Sequence, residues 1–144
     1  MSQFDTNWSF INEGDFTPQG FYFAGISAGL KTSKRKDLAL ILAPEGSICS
    51  GMFTQSIVRA DCVEICEKRI KKCSGQIRAI LINSGQANAC TGNFGTQHFL
   101  TATSNVSELL GIEEEEVLMC STGVIGVPIP INVLVKNFPK LVNE

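Results

Sequence analysis

The 144-residue chain holds one histidine, His98, so a cysteine or serine nucleophile would have a single imidazole to draw on as its base. It has no apolar stretch near the roughly 20 residues needed to span a bilayer. The stretch from Met1 to Gly14 carries Asp5, Trp8 and Glu13 and no apolar core, which excludes a secretory signal. That stretch also lacks the Arg-rich, acid-poor character of a transit peptide. Net charge is only −2, so no strong field draws nucleic acid or a membrane surface. Neither G-x-x-x-x-G-K-[ST] nor G-x-G-x-x-G occurs, so there is no phosphate cradle. Internal repeats and low-complexity linkers are absent too. Cys62 and Cys66 stand four apart, but no histidine or second cysteine pair completes a zinc set.

What is present is ordinary globular material. Apolar residues make up 44% and charged residues 18%, enough for one sizeable core and unlike a disordered chain. Cys49, Cys62, Cys66, Cys73, Cys90 and Cys120 are irregularly spaced and mostly inside apolar runs. Buried free thiols in a reducing, cytoplasmic compartment are the expected reading. The runs Lys34-Arg35-Lys36, Lys68 to Lys72 and Glu113 to Glu116 are expected to be solvated faces.

Residues 1–19 read as an irregular arm and residues 20–144 as the folded part. Phe21 to Leu30 suits a strand and a close turn. Asp37 to Ala43 reads as a buried strand, and Ser47 to Thr54 as its returning partner. Asp61 to Lys72 places Cys62, Val63, Cys66 and Ile70 on one helical face. Ile77 to Asn83 is a buried strand. Gly95 to Leu110 is a helix with Phe99, Ala102, Val106, Leu109 and Leu110 as its stripe and Gly111 as its stop. Val117 to Cys120 is a short strand. Pro130 opens a last helix, which Pro139 is expected to bend or interrupt. Alternating strands and helices predict an α/β or α+β fold with layered sheets.

Two Gly-rich polar segments directly follow buried strands, where chemical groups can sit on rigid support. The first runs from Asn83 to Gly92 (N-S-G-Q-A-N-A-C-T-G). It suits a turn locked by Asx hydrogen bonds, or a close approach of backbone to a ligand. Cys90 within it is a poor nucleophile, because His98 sits near a helix start. The second runs from Cys120 to Gly126 (C-S-T-G-V-I-G). It suits a simple turn, or a hydroxyl and a glycine N–H aimed at one point as an oxyanion hole.

Five segments, in order and spacing, resemble the N-terminal (α) chain of ornithine acetyltransferases, the glutamate N-acetyltransferases of arginine biosynthesis. They are Gly20 to Lys31, Lys36 to Ile41, Gly51 to Thr54, Arg78 to Gly92 and Glu115 to Pro130. The resemblance implies a layered α/β/β/α fold, distantly like N-terminal-nucleophile hydrolases. It implies a multifunctional precursor that cleaves itself before a threonine, which then heads the β chain as nucleophile with its own α-amino group as base. That threonine takes acetyl from N2-acetylornithine and passes it to glutamate. Acetyl-coenzyme A is a possible further donor, and neither a metal nor a prosthetic group is expected. An assembly of two α and two β chains follows.

Carried over by position, the oxyanion hole falls on the Thr122 hydroxyl and the Gly123 N–H. Ser121 and Cys120 would support them, and Asn83, Ser84 and Asn88 would organise the neighbouring loop. Gln86 stands where many members have Asn. The family's T-T-D segment, its Lys-Gly-Ser-Gly stretch and its P-N-M-A/T cleavage site do not occur here. The nucleophile is therefore expected from outside these residues, and the isolated chain is expected to be inactive. A self-cleaving aminopeptidase or amidase on a similar scaffold, and an inactive fragment, are the competing readings.

Overall fold

The computed structural model describes residues 17–144, so the arm foreseen over residues 1–19 lies mostly outside the described residues. Four strands form one sheet in the order β1-β2-β3-β4: β1 Tyr22–Ile26, β2 Leu38–Leu42, β3 Ala79–Gln86 and β4 Val117–Val124. The pairs β1–β2 and β2–β3 are antiparallel, and β3–β4 is parallel. Three helices accompany the sheet: α1 Asp61–Lys72, α2 Asn93–Leu110 and α3 Ile131–Val142. The fold is thus mixed α/β, as the alternation of patterns predicts.

Parallel neighbours need a crossover, and α2 supplies it between β3 and β4. Helix α3 lies against β1 and β2, α2 against α3 and β4, and α1 against α2 and β4. The core fills the space between sheet and helices. Leu38, Leu40, Ala79, Leu81, Val117 and Met119 meet Phe99, Ala102 and Val106 of α2 and Leu134, Phe138 and Leu141 of α3. Burial alternates along β3, from buried Ala79 and Leu81 to half-buried Ile80 and Ile82, as one helix-covered face requires.

Several expectations are corrected. Ser47 to Thr54 is not a strand; it makes only the isolated bridge Ile48–Gln76. Ile48 is 70% exposed and Met52 fully so, and with only Cys49 and Phe53 partly packed on the core the apolar pattern gains little from pairing. Leu109 leaves the α2 stripe and is exposed. Pro130 sits one residue before α3, at its N-cap position, and Pro139 does not interrupt the helix. The wholly buried Phe138 and Leu141 on either side hold the last turn together despite the lost N–H. All six thiols are free, but Cys90 and Cys120 are exposed and only Cys62 and Cys66 are fully buried.

Arg69 departs from the solvated run in which it was read. Its side chain is 8% exposed and stacks 4.8 Å from the Phe99 ring centroid. Its guanidinium donates to the Glu114 and Val117 carbonyls at 2.7 and 2.6 Å and to the Glu114 carboxylate at 2.5 Å. Lys72 reaches Glu115, so the acidic run is a short 3-10 turn (Glu114–Glu116) partly pinned to α1. Arg69→Met is expected to lower unfolding free energy by about 2–4 kcal/mol, because two acceptors and a carboxylate lose their donor. Urea unfolding followed by circular dichroism checks it, and an unchanged midpoint would refute the role.

Candidate active site

The two polar segments are not separate loops. Asn83-Ser84-Gly85-Gln86 continues β3 and Ser121-Thr122-Gly123-Val124 continues β4, so each strand runs further than its apolar residues suggest. They pair in register: Asn83 with Ser121, Ser84 with Thr122, Gly85 with Gly123, Gln86 with Val124. Both motifs therefore lie side by side at the carboxyl ends of two parallel strands. The alignment continues past the strands, since Ala87 N–H donates to the Val124 carbonyl and Gly126 N–H to the Ala89 carbonyl, each at 2.9 Å.

A side-chain clamp holds the register. The Ser121 hydroxyl donates to Asn83 Oδ1 at 2.6 Å, and Asn83 Nδ2 donates to the Gln86 carbonyl at 3.0 Å. Asn83 is wholly buried, where a polar side chain is stable only when its hydrogen bonds are made. Ser84 anchors the other flank, donating from its backbone to the Asp37 carbonyl at 2.9 Å.

Strand β4 is the sheet edge, and α1 covers most of it. Alternate main-chain groups face the helix. The Val117 carbonyl takes Arg69 and the Met119 carbonyl takes the Cys66 thiol at 3.5 Å, with buried Cys62 one turn earlier on the helix. Cys62 is the second residue of α1, so the cover ends there. Beyond it Thr122, Gly123, Val124 and Ile125 are all exposed. This is why a hydroxyl and a glycine backbone are displayed at this one place on the edge.

Gly123 is there of necessity. Its φ is +130°, outside the range of ordinary residues, and a Cβ would fall on the Gly85 carbonyl and within 2.8 Å of Gln86 N. Gly85 is less confined but still tight, since its Cβ would stand 3.2 Å from the Leu30 carbonyl.

Asn88 is not part of this group. It is buried, with its Nδ2 donating to the Gly95 carbonyl at 3.1 Å, and it ties the loop to the start of α2. Thiol chemistry finds little support. Burial raises the Cys62 thiol and pushes that of Cys66 up to about 11, which keeps both protonated at neutral pH. His98 lies on α2 beside the Phe94 ring, 5.5 Å between centroids, and burial lowers its pKa. Among the described residues no hydrogen bond joins it to Cys90.

An open cleft of about 600 Å³ lies between the starts of α1 and α2, lined by Arg59, Asp61, Cys90, Thr91, Thr96 and Gln97. Thr96 bridges it by donating to Asp61 at 2.8 Å. Neither Thr122 nor Gly123 lines this cleft, so the cleft and the strand-end donors are distinct features. Sequence reasoning places Asp37 at the start of a buried strand but assigns it no role, and the residue is 3% exposed. No helix among the described residues is long and apolar enough to cross a membrane.

The chain is thus a mixed α/β unit with a hydroxyl and a glycine displayed at the carboxyl ends of parallel strands. Residues 22–144 match the ArgJ family, and the chain belongs to it. It is 72% identical over 134 residues to the arginine biosynthesis bifunctional protein ArgJ of Prochlorococcus marinus subsp. pastoris, covering 93% of this chain and 33% of that one. With the protein of the same name from Caldanaerobacter subterraneus identity is 49% over 119 residues, covering 83% and 29%. The crystal structure of ornithine acetyltransferase complexed with ornithine from Mycobacterium tuberculosis superposes with a TM-score of 0.83 at 34% identity, covering 88% of this chain and 68% of that one. The arginine biosynthesis bifunctional protein argJ of Bacillus halodurans gives 0.79 at 34%, covering 83% and 62%. The chain spans about a third of the length of the curated relatives it matches.

Proposed function

We propose that this chain is the oxyanion-hole-bearing part of a cytoplasmic glutamate N-acetyltransferase of arginine biosynthesis. The observation that carries the reading is the exposed Thr122–Gly123 pair, held beside Ser84–Gly85 on adjoining parallel strand ends in a member of the ArgJ family. The relatives are about three times as long, which leaves room for a β chain headed by the nucleophilic threonine.

In this reading the threonine oxygen attacks the acetyl carbonyl of N2-acetylornithine, and its α-amino group takes the hydroxyl proton. The negative charge that develops on the carbonyl oxygen is met by the Thr122 hydroxyl and the Gly123 N–H. Collapse breaks the amide bond, ornithine leaves with the proton, and acetyl remains as an ester on threonine. The glutamate amine then attacks that ester through a second oxyanion in the same hole, releasing N-acetylglutamate and free threonine. The acyl chemistry needs no metal or prosthetic group, and acetyl-coenzyme A is a possible alternative donor. Two α and two β chains form the assembly.

Intact-mass and N-terminal analysis of every polypeptide that co-purifies with the chain from its native source tests this. A second polypeptide beginning with threonine, gaining one acetyl group on incubation with N2-acetylornithine, is the expected result. A partner with any other first residue, or one that never becomes acetylated, would overturn the reading.

A further inference from the structure

We propose that Asp37 is a positioning residue for Thr122 and Gly123, acting through the Ser27–Lys36 loop and Gly85; the inference rests on the oxyanion-hole reading. Its carboxylate is buried and takes three backbone N–H groups of that loop: Ala28 at 2.6 Å, Leu30 at 2.7 Å and Lys31 at 3.0 Å. Hydrogen bonds to a charged acceptor are the strong ones, so one side chain fixes a loop otherwise rich in exposed polar residues.

The backbone of Asp37 is fixed on both sides as well. Its N–H donates to the Ile26 carbonyl at 3.0 Å, and its carbonyl accepts from Ser84 N–H at 2.9 Å. The residue thus bonds to β1, to the loop and to the end of β3 at once. The loop in turn touches the site. The Leu30 carbonyl lies against Gly85, where even a Cβ would come within 3.2 Å, and Gly85 lies against Gly123, where a Cβ has no room. Leu30 thus meets Gly85 through its carbonyl and its Cβ, and Gly85 meets Gly123 through its carbonyl. Movement of the loop is passed to the Gly123 backbone, and a misplacement of about 1 Å can cost an enzyme up to ~10²-fold in rate.

The test is made in the complete enzyme. Asp37→Asn keeps the shape and removes the charge, and is expected to lower kcat roughly 10- to 100-fold with KM for N2-acetylornithine little changed. Thr122→Ala is measured beside it, alone and combined. If Asp37 acts through the donor pair, the double variant loses less than the product of the two single losses, because one of the two donors that Asp37 positions is already gone. Arg69→Met, at the opposite end of β4, is the stability control and is expected to leave kcat unchanged. Should Asp37→Asn not fold, Gly85→Ala presses on the same Leu30 contact and is expected to give the same Thr122-dependent loss. Wild-type kcat in Asp37→Asn or Gly85→Ala, or losses that multiply with that of Thr122→Ala, would overturn the positioning role. Wild-type kcat in Thr122→Ala would instead overturn the oxyanion reading, and the positioning role with it.

Discussion

Thr122→Ala is expected to lower kcat of the complete enzyme by roughly 10²-fold or more, the usual consequence of removing one oxyanion donor. The KM for N2-acetylornithine should change little, since the hydroxyl is matched to a charge present only in the transition state. The substitution is local. Thr122 is exposed, and the Ser121–Asn83–Gln86 clamp that holds the strand ends does not involve its side chain. Stability should therefore remain within about 0.5 kcal/mol of the parent, as for most surface substitutions. Thr122→Ser, which keeps the hydroxyl, should recover most of the rate. Steady-state transfer of acetyl from N2-acetylornithine to glutamate decides it, and an unchanged kcat removes Thr122 from the mechanism.

Gly123→Ala should do more damage, and of two kinds. The backbone at φ +130° is costly for any residue with a Cβ, about 1–3 kcal/mol by itself. The new methyl would also land on the Gly85 carbonyl, so β3 and β4 must part or the glycine must turn. Either response takes the N–H away from its place. A loss of kcat at least as large as that of Thr122→Ala is expected, on the order of 10²- to 10³-fold. Unlike Thr122→Ala, it should bring a fall of about 2–4 kcal/mol in unfolding free energy. Paired measurement of rate and urea midpoint separates the two variants. A Gly123→Ala protein with normal stability and a lost rate would mean that the strands do not crowd each other as described.

The elements that sequence reasoning found are those whose signal is local. Helix α1 has the foreseen bounds, because a one-sided apolar pattern and a basic last turn lie within a single stretch. Gly111 ends α2 in the left-handed conformation for an equally local reason. What went unread depends on partners distant in sequence. Ser47 to Thr54 has the residues of a strand but no ladder to join. Arg69 resembles its exposed neighbours until Phe99 and Glu114 are brought against it. Asp37 breaks the rule that charge stays outside, and only the three loop N–H groups show why it can. Thr122 and Gly123 were singled out from their residue types and the family resemblance. Their pairing with Ser84 and Gly85 was not legible, because no periodicity reports which strand lies beside which.

That pairing has a consequence for how the protein comes to be competent. Antiparallel β1 and β2 can meet across a short connection, whereas β3 and β4 become neighbours only after the whole of α2 has been laid down between them. Contacts that close so long a segment bear a larger entropic cost and tend to form late. Ser84 and Gly85 therefore meet Thr122 and Gly123 only once that crossover is in place. A chain that has collapsed but not docked α2 would carry every one of these residues and still have no site, which makes activity itself a test of completed folding.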